Sequence, residues 1–424
     1  MKIYEKYKDS GVNYIGEIPN SWSTLKMKFL FKDVSIKNKP EMELLSVTQD
    51  KGVVPRSMVE NRMVMPNGNL ESFKVISEGD FAISLRSFEG GLEYSAYDGI
   101  VSPAYTVLKS QKKINNNYFK YYFKSKIFIS ELQLSVVGIR EGKNISYEEL
   151  KYSHVPTPPL PEQQAIAEFL DDKTDKIDQT ISLKQKEINL LKERRQILIQ
   201  KAVTKGLNDQ VKMKDSGVDW IGEIPEHWEV RKVTYLFRKI GSGTTPTSGD
   251  LRFYDGEINF LQTGDLNDGY IIKTSKTVKE KALKEFTSLK KYEKGSLVIA
   301  MYGATIGKLG ILEIESTTNQ ACCVFSSPQN LISKYFFFVL LAFRQEIVSM
   351  GYGGGQPNIS QDLLKSLRFP IANFEEQNEI IEYLEIIVEK IAKAISIKQQ
   401  EIEKLKEYKT VLINNVVTGK VKVN

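Results

Sequence analysis

The residue types that most often carry catalysis are scarce in this 424-residue chain. It has two histidines, His154 and His227, and two cysteines, which are the neighbours Cys322 and Cys323. Neither histidine lies close in sequence to a cysteine or to paired carboxylates, so no nucleophile or acid–base pair stands out. Adjacent cysteines without a CxxC or Cys/His cluster favour neither a structural zinc nor a disulfide. The sequence therefore predicts a chain that holds no metal and catalyses nothing by itself.

Common catalytic and nucleotide-binding motifs are absent from the sequence as well. It has no HExxH, no GxSxG, no phosphate-binding loop and no NPPY of the adenine-methyltransferase kind. The glycine-rich run from Gly351 to Gly355 lacks the strand, lysine and helix that cradle phosphates. We interpret it as a flexible loop, with contact to a DNA backbone as the alternative. A net charge of +6 and a pI near 8.8 are compatible with nucleic acid but do not establish it.

The whole chain is a tandem repeat. Residues 7–31 return 206 positions later as residues 213–237, and both copies contain DSGVxxIGEIPxxW, starting at Asp9 and at Asp215. A second pair of matching segments, residues 144–207 and 358–421, lies 214 positions apart. The sequence between these matching ends hardly agrees between the copies. Constant frames around divergent interiors predict a scaffold that presents two different recognition surfaces.

The tail of each copy predicts a long coiled-coil helix. Apolar residues recur there in steps of four and three over about four heptads, which is the period of a coiled-coil seam. Pro161 and Glu162 are typical of a helix start, and Gly206 and Gly419 of helix ends. Each helix would have roughly 40 residues and be ~60 Å long. The expected seam includes Ile177, Ile181, Ile188, Leu191, Ile391, Ile395, Ile402 and Leu405.

Two pairs of basic residues fall in this apolar seam at matched positions. Lys184 corresponds to Lys398, and Arg195 corresponds to Lys409. One interpretation is that these long side chains extend out of the seam and keep their charges in water. The other is that they fix the register or orientation of the helices at some cost in stability.

Chain order predicts how the helices run. The second globular segment lies between the end of the first helix and the start of the second, so a compact segment brings these two ends together. The helices must then run antiparallel. We expect a mixed α/β protein in which two globular α/β domains are separated by a long antiparallel two-helix coiled coil, as a tandem repeat with approximate two-fold symmetry. The expected globular domains are residues 1–157 and 207–371, and the expected helices are residues 158–206 and 372–421.

The interiors are expected to combine short strands with helices. Apolar runs bounded by Gly, Asp, Ser or Pro predict the strands. The N-terminal residues contain no apolar stretch typical of a secretory signal, and the longest apolar run, 335–343, is too short to cross a bilayer. We therefore predict a cytoplasmic protein without a membrane partner. The predicted strands are Phe81–Leu85, Ile100–Leu108, Ile258–Leu261, Leu297–Met301 and Ala321–Phe325, and the predicted helices are Asn117–Leu134 and Lys334–Met350.

Over essentially its whole length, the chain resembles the specificity subunits of type I restriction-modification systems. The resemblance rests on the duplicated DSGVxxIGEIPxxW block, on PLPEQQ-like helix starts at residues 159–164 and 374–377, and on helix ends at residues 202–204 and 416–418. In the second copy, GSGTTPTSGD, MYGATIGKLG and TNQAC look like recurrent motifs of target-recognition domains. The first copy departs from them, because GDFAISLRS replaces the ATIGK stretch.

The resemblance implies a DNA-binding subunit without an active site or cofactor of its own. Residues 1–157 and 207–371 would be target-recognition domains, each binding one half of a split, asymmetric sequence in double-stranded DNA. The long helices, through their seam residues, would set the gap between the halves and dock two modification subunits. Those methyltransferase subunits would bring S-adenosylmethionine and methylate adenine. Two motor-nuclease restriction subunits, which use ATP and magnesium, would complete the restriction complex.

Candidate DNA contacts lie mainly in glycine-flanked loops. Lysine and arginine suit phosphates, arginine also suits guanine, and hydroxyl or amide groups suit base edges. For the basic residues the alternative is ordinary solvated surface charge, and for Tyr302 it is packing in the core. The candidates are Arg86, Ser87, Arg140 and Lys143 in the first copy, and Thr244, Thr245, Thr247, Tyr302, Thr305, Lys308 and Gln356 in the second.

Two other hypotheses fit parts of the sequence. A coiled-coil scaffold protein with no nucleic-acid role would also have two globular heads, but without a basic face across both. The specificity chain of a combined methylase–nuclease restriction system would have the same layout. A fused methylase–nuclease partner would distinguish that system from one with separate modification and motor subunits.

Overall fold

The computed structural model describes residues 2–59, 70–84, 87–134, 136–137, 144–352 and 358–423. The chain divides into two compact units. Unit 1 comprises Met1–Gln185 and Gln399–Asn424, and unit 2 comprises Lys186–Lys398. Each unit therefore contains one globular segment together with part of each long helix.

Unit 1 is built from short strands and short helices that precede the first long helix. Three-residue 3₁₀ turns occur at Met27–Phe29, Arg56–Met58 and Leu70–Ser72. The helices are α1 Ser87–Gly90, α2 Asn116–Tyr122, α3 Lys126–Leu134, α4 Tyr147–Leu150 and the long α5 Leu160–Lys205. The strands are β1 Tyr7–Asp9, β2 Glu17–Pro19, β3 Ser23–Lys26, β4 Phe31–Asp33, β5 Leu45–Thr48, β6 Gly52–Pro55, β7 Lys74–Ile76, β8 Phe81–Ile83, β9 Glu93–Tyr94, β10 Gly99–Val101, β11 Thr106–Ser110, β12 Val136–Val137, β13 Asn144–Ile145 and β14 His154–Thr157.

Unit 2 follows the same plan with longer strands. One 3₁₀ turn lies at Thr263–Asp265. The helices are α6 Val233–Leu236, α7 Glu280–Glu285, α8 Ser333–Ala342, α9 Arg344–Ser349, α10 Gln361–Ser366 and the long α11 Phe374–Val417. The strands are β15 Met213–Asp215, β16 Glu223–Pro225, β17 Glu229–Lys232, β18 Phe237–Gly241, β19 Tyr254–Leu261, β20 Gly269–Ile271, β21 Lys276–Val278, β22 Leu297–Ala300, β23 Leu309–Leu312, β24 Ser316–Thr318, β25 Cys322–Pro328 and β26 Arg368–Ile371.

Each unit contains an antiparallel sheet with the same strand order. In unit 1 the order is β4-β11-β8-β9, and in unit 2 it is β18-β25-β22-β23, to which β20 adds in parallel. All residues of β8 and of β22 are buried, so these central strands are covered on both faces and consist of apolar side chains. The mixed α/β fold class that the sequence predicts is confirmed.

The repeated sequence block forms the same hairpin twice. In this hairpin β1 pairs with β2 in one copy and β15 pairs with β16 in the other, in matching register. Gly16 and Gly222 have φ of 72° and 75°, a left-handed conformation that favours glycine. Trp22 and Trp228 are buried at 0% and 1% exposure and anchor the two blocks. The sequence repeat is therefore also a structural repeat.

The two long helices run antiparallel within each unit. In unit 1, the start of α5 (Ile166, Leu170) and the end of α11 (Leu412, Val416) share one core. In unit 2, the end of α5 and the start of α11 share another, which contains Val203 and Leu384. Within unit 1, Asp178 and Lys184 of α5 pair with Lys409 and Glu401 of α11, so one helix ascends in number as the other descends. The predicted antiparallel arrangement is confirmed.

Three predicted single elements are wrong because each is broken in two. The predicted strand Ile100–Leu108 is β10 and β11, which a turn at residues 102–105 separates. The predicted helix Asn117–Leu134 breaks at Phe123, and the predicted helix Lys334–Met350 breaks at Phe343. Both phenylalanines are fully buried against other rings of their cores, so tertiary packing overrides helix propensity there.

Candidate nucleic-acid interface

Three connections meet at one end of the sheet in unit 2. They are the β18–β19 loop at residues 242–253, the β22–β23 loop at residues 301–308 and the β24–β25 turn at residues 319–321. Strand β25 is antiparallel to both β18 and β22, so the ends of those two strands lie beside its start. The sheet thus places the GTTPTSGD, MYGATIGK and TNQAC segments side by side.

The backbones of these connections are packed closely together. The backbone N–H of Gly243 donates to Oγ1 of Thr318 at 3.1 Å, and a Cβ on Gly243 would lie 1.7 Å from the carbonyl oxygen of Thr318. Only glycine fits at that position. The N–H of Met301 donates to the carbonyl oxygen of Ala321 at 2.8 Å, which joins the second loop to the turn. The surface that the three connections form is therefore held by backbone contacts.

Gln320 lies beside two of the predicted DNA contacts. The Thr245 hydroxyl donates to Oε1 of Gln320 at 2.6 Å, and the Gln320 side chain opposes the rise in the pKa of the Tyr302 hydroxyl. Burial raises the pKa of that hydroxyl, so Tyr302 stays neutral. Gln320 is exposed, whereas Thr245 and Tyr302 are half-buried. Gln320 lies in the TNQAC motif but is not among the predicted contacts, although its position between two apolar or β-type runs was a usable signal.

The other candidates of unit 2 lie in the same loops. Thr244 is half-buried and Thr247 is exposed in the β18–β19 loop. The carbonyl oxygen of Thr305 accepts the N–H of Lys308 at 2.9 Å, which closes the β22–β23 loop. The Lys308 side chain is exposed, and among the residues that the structure describes no carboxylate lies within ion-pair distance of its ammonium group. Lys308 therefore presents an uncompensated positive charge beside Thr305.

The candidates of unit 1 are less well placed. Ser87 is fully buried, and its hydroxyl accepts the N–H of Ser84 at 2.8 Å, so this side chain closes a turn and does not face solvent. A DNA contact through Ser87 is therefore inconsistent with the surface of unit 1. The predicted contacts Arg86, Arg140 and Lys143, and Gln356 of unit 2, lie outside the described residues.

Unit 1 contains a buried ion pair at the start of strand β9. Glu93, at the start of β9, has 0% side-chain exposure, and its Oε1 accepts from Nζ of Lys124 at 2.6 Å. Burial raises the pKa of Glu93 to about 7, which Lys124 opposes and Asp50 increases. Lys124 also donates to the carbonyl oxygen of Gln49. This pair joins β9 to the β5–β6 turn and to the end of α2.

The predicted seam residues all face inward on the long helices. Four of them are buried: Ile177 and Ile391 are both 8% exposed, and Ile188 and Ile402 are both 2% exposed. Matched positions of the repeat therefore have the same burial. Ile181, Leu191, Ile395 and Leu405 are half-buried. The coiled-coil pattern of the sequence thus marks the contact between α5 and α11.

Three of the four basic residues of the seam, all lysines, pair with carboxylates on the opposite helix. In unit 1, Lys184 contacts Glu401 at 2.7 Å and Lys409 contacts Asp178 at 2.6 Å. In unit 2, Lys398 pairs with Glu187 in the same way. These pairs favour the interpretation that the seam lysines fix the register, because a shifted helix would separate each charge from its partner.

A second apolar stripe on α5 lies outside the seam in unit 2. Leu190 and Ile197 are seven residues apart and are 62% and 64% exposed. Seven residues are two helical turns, so these side chains lie on one face of the helix. They are not among the residues predicted from the seam, although their heptad spacing is visible in the sequence.

The remaining residues with chemically reactive side chains are the two cysteines and the two histidines. Cys322 and Cys323 are free and buried, and burial raises the pKa of both thiols to about 12. His154 is half-buried beside Tyr14, and His227 pairs with Glu376 at 3.0 Å. Across the described ranges, no group of three or more His, Cys, Asp or Glu could hold a metal ion. None of the helices that the structure describes is both long and apolar enough to cross a membrane.

Comparison with known families matches both copies of the repeat. A family model described as "Type I restriction modification DNA specificity domain" matches residues 19–193 and again residues 225–407. The chain belongs to the family of type I restriction-modification specificity subunits. The two matched ranges contain β4 to β11 and β18 to β25, and therefore both sheets described above.

Named relatives agree with this family. The chain is similar to the type I restriction enzyme MjaVIII specificity subunit of Methanocaldococcus jannaschii, with 28% identity over 360 residues that cover 82% of this chain and 80% of the relative. It is also similar to the EcoBI specificity subunit of Escherichia coli, with 25% identity over 302 residues that cover 68% of this chain and 62% of the relative.

Solved structures share the fold. One is a chain from work on complex assembly and conformational transition of the type I R-M system, with a TM-score of 0.73 and 14% identity over 95% of this chain and 99% of that one. Another is the HsdS subunit from Thermoanaerobacter tengcongensis, with a TM-score of 0.53 and 14% identity over 95% and 98% of the two chains. At this identity the likeness concerns the fold alone.

Proposed function

We propose that this specificity subunit recognises a split, asymmetric DNA sequence and directs adenine methylation and restriction by partner subunits. The observation that supports the proposal most is that three motif-bearing connections meet at one end of the sheet in unit 2. The hydroxyl of Thr245, the amide of Gln320 and the ammonium group of Lys308 lie in these connections. Such groups serve DNA recognition, because amides and hydroxyls bond to base edges while lysine binds phosphates.

The duplication supports recognition of two different half-sites. Both units present loops from sheets of the same strand order, so each can approach DNA in the same manner. The loops themselves differ, since the GTTPTSGD and ATIGK segments of unit 2 have no counterpart in unit 1. Equal frames with unequal loops imply two unequal half-sites, which together form an asymmetric sequence. The lysine–carboxylate pairs of the long helices would fix their register and with it the spacing of the half-sites.

Partner subunits would supply the chemistry. We place the docking of two modification subunits on the exposed stripe of Leu190 and Ile197, because the seam residues are covered by the opposite helix. S-adenosylmethionine would bind to those subunits, and ATP with magnesium to two restriction subunits. In this proposal the chain itself catalyses nothing, holds no cofactor and works in the cytoplasm, where the DNA and its partners are.

Mapping of N6-methyladenine in genomic DNA tests this function. A host that carries the modification subunit with this chain should show one split motif, with a methylated adenine in each half and a fixed gap between the halves. The control host carries the modification subunit alone and should lack the motif. Replacing residues 242–366, the interior of unit 2, with the corresponding segment of another family member should change one half only. An unsplit motif, or a change in both halves, would contradict the proposal.

A further inference from the structure

The turn at residues 319–321 in unit 2 has a counterpart of the same build in unit 1. Oδ1 of Asn319 accepts the N–H of Ala321 at 3.2 Å, and Oγ of Ser102 accepts the N–H of Ala104 at 3.3 Å. Each turn leads into the strand that pairs with two equivalent neighbours, β25 with β18 and β22, and β11 with β4 and β8. The two turns therefore share their hydrogen bond and the pairing of the following strand, but each has a different exposed residue at its tip.

The tip residues are Pro103 in unit 1 and Gln320 in unit 2. Both are exposed, but only the glutamine has a polar side chain. A fixed turn with a variable exposed tip is the arrangement expected of a residue that sets what each copy recognises, rather than one that holds the fold.

The Gln320 amide is oriented by Thr245. Oε1 accepts the hydroxyl hydrogen of Thr245 at 2.6 Å. A glutamine amide has two lone pairs on Oε1 and two hydrogens on Nε2. After this bond, one lone pair on Oε1 and both hydrogens on Nε2 remain. The open edge of the amide thus offers one acceptor and one donor side by side.

Thr245 and the turn are themselves anchored. Thr245 lies two residues after Gly243, whose N–H donates to the Thr318 hydroxyl, and Gln320 precedes Ala321, whose carbonyl oxygen accepts the N–H of Met301. The Gln320 side chain is therefore held before any ligand arrives, which reduces the entropy lost on binding. A held donor–acceptor pair on a rigid turn suits recognition of one flat partner with a complementary edge.

We propose that Gln320 recognises an adenine in the half-site bound by unit 2, with Thr245 as the positioning residue. In the major groove adenine presents the N6 amino donor beside the N7 acceptor, which matches the open amide edge. Guanine presents two acceptors there, so it cannot satisfy both amide groups. This inference rests on the proposed function, because it takes unit 2 to bind one half of a split DNA site.

The test uses the full chain in complex with its modification subunits and duplexes that carry the mapped motif. Each base pair of the unit 2 half-site is varied in turn, and binding is measured by competition. At one position the wild-type complex should prefer adenine over other bases by roughly 5- to 150-fold, the range for a bidentate base contact. Gln320→Ala should lose the preference there and keep it at all other positions in both halves. Thr245→Val should reduce it at the same position.

Two further measurements separate base recognition from a defect in the fold. Replacing that adenine with 7-deazaadenine, which lacks the N7 acceptor, should weaken binding of wild type but not of Gln320→Ala. Gln320→Glu replaces the donor with an acceptor and should move the preference from adenine to cytosine, whose N4 amino group is a donor. The matched control is Gln210→Ala, an exposed glutamine in the connection after α5, which should behave as wild type.

The outcomes distinguish failure of this inference from failure of the function. If both Gln320 variants keep the adenine preference at every position, or weaken binding to all sequences equally, Gln320 does not recognise a base and the inference is wrong. If Gln320→Ala unfolds at a lower temperature than Gln210→Ala, the test depends on Gln320→Glu. A cytosine preference of that variant supports base recognition by residue 320, and its absence contradicts it. A wild-type complex that binds no split motif would instead remove the proposed function itself.

Discussion

The buried carboxylate of Glu93 makes the stability of unit 1 depend on pH. Its side chain is fully buried, Lys124 contacts one oxygen, and the other oxygen, Oε2, has no hydrogen-bond partner among the described residues. Ionising the group in this position is unfavourable, so burial raises its pKa from 4.5 to about 7. The neutral variant Glu93→Gln should remove this dependence while it keeps the shape of the side chain.

The sign follows from where the proton is bound. Between pH 4.5 and pH 7 the folded chain keeps the Glu93 proton and the unfolded chain has lost it. The stability that Glu93 contributes is thus complete below pH 4.5 and is lost as the pH rises to 7. The loss is about 1.4 kcal/mol per pH unit, or roughly 3 kcal/mol in total. Wild type should lose that amount relative to Glu93→Gln between pH 5 and pH 8.

Chemical denaturation at a series of pH values measures this difference. The free energy of unfolding of Glu93→Gln minus that of wild type should rise by roughly 3 kcal/mol from pH 5 to pH 8 and stay level above pH 8. Hydrogen exchange of amides in β8 and β9 reports the same change locally, which matters because the chain has two units. Glu17→Gln, an exposed glutamate of β2, is the matched control and should show no such rise. A constant difference across this pH range would refute the assignment of the titration to Glu93.

Two further predictions concern DNA and partner binding. Lys308→Ala should weaken binding to all sequences alike and lower the slope of log affinity against log salt by about one, and an unchanged slope would exclude a phosphate contact. Leu190→Asp, on the exposed stripe, should prevent co-purification with modification subunits without lowering the unfolding midpoint, whereas Ile188→Asp in the seam should destabilise the helices by several kcal/mol. Normal co-purification of Leu190→Asp would rule out docking on that stripe.

The long helices and the repeat were predictable because their signals are local and periodic. A heptad pattern with a start at Pro161 and glycines after the ends predicts helices of about the observed 46 and 44 residues. The short strands were harder. The run from Ile100 to Leu108 contains Pro103 inside apolar sequence, and the tight turn there becomes visible only when β11 pairs with β4 and β8.

The candidate interface was predictable in part. Thr245 was selected from a motif, and the structure joins it to the amide of Gln320. Gln320 lies 75 residues from Thr245 in sequence, so only the sheet joins them. Ser87 was selected because it lies in a polar loop beside Arg86, yet its short hydroxyl side chain bonds to Ser84 and turns inward. Sequence identifies polar loops, but tertiary packing decides which side chains face outward.

The contacts that hold the turn around Gln320 explain how the tip residue can change while the fold stays the same. The buried strands on either side and the Asn319 bond to Ala321 hold the turn, and none of these contacts needs the Gln320 side chain. Unit 1 demonstrates this, because Pro103 occupies the tip of the equivalent turn. Substitution at an exposed tip of this kind changes stability by about 0.5 kcal/mol or less, whereas a lost base contact costs more. If the tip recognises DNA as proposed, residues there can therefore vary under selection for new sequences, while Gly243, which approaches the Thr318 backbone closely, cannot.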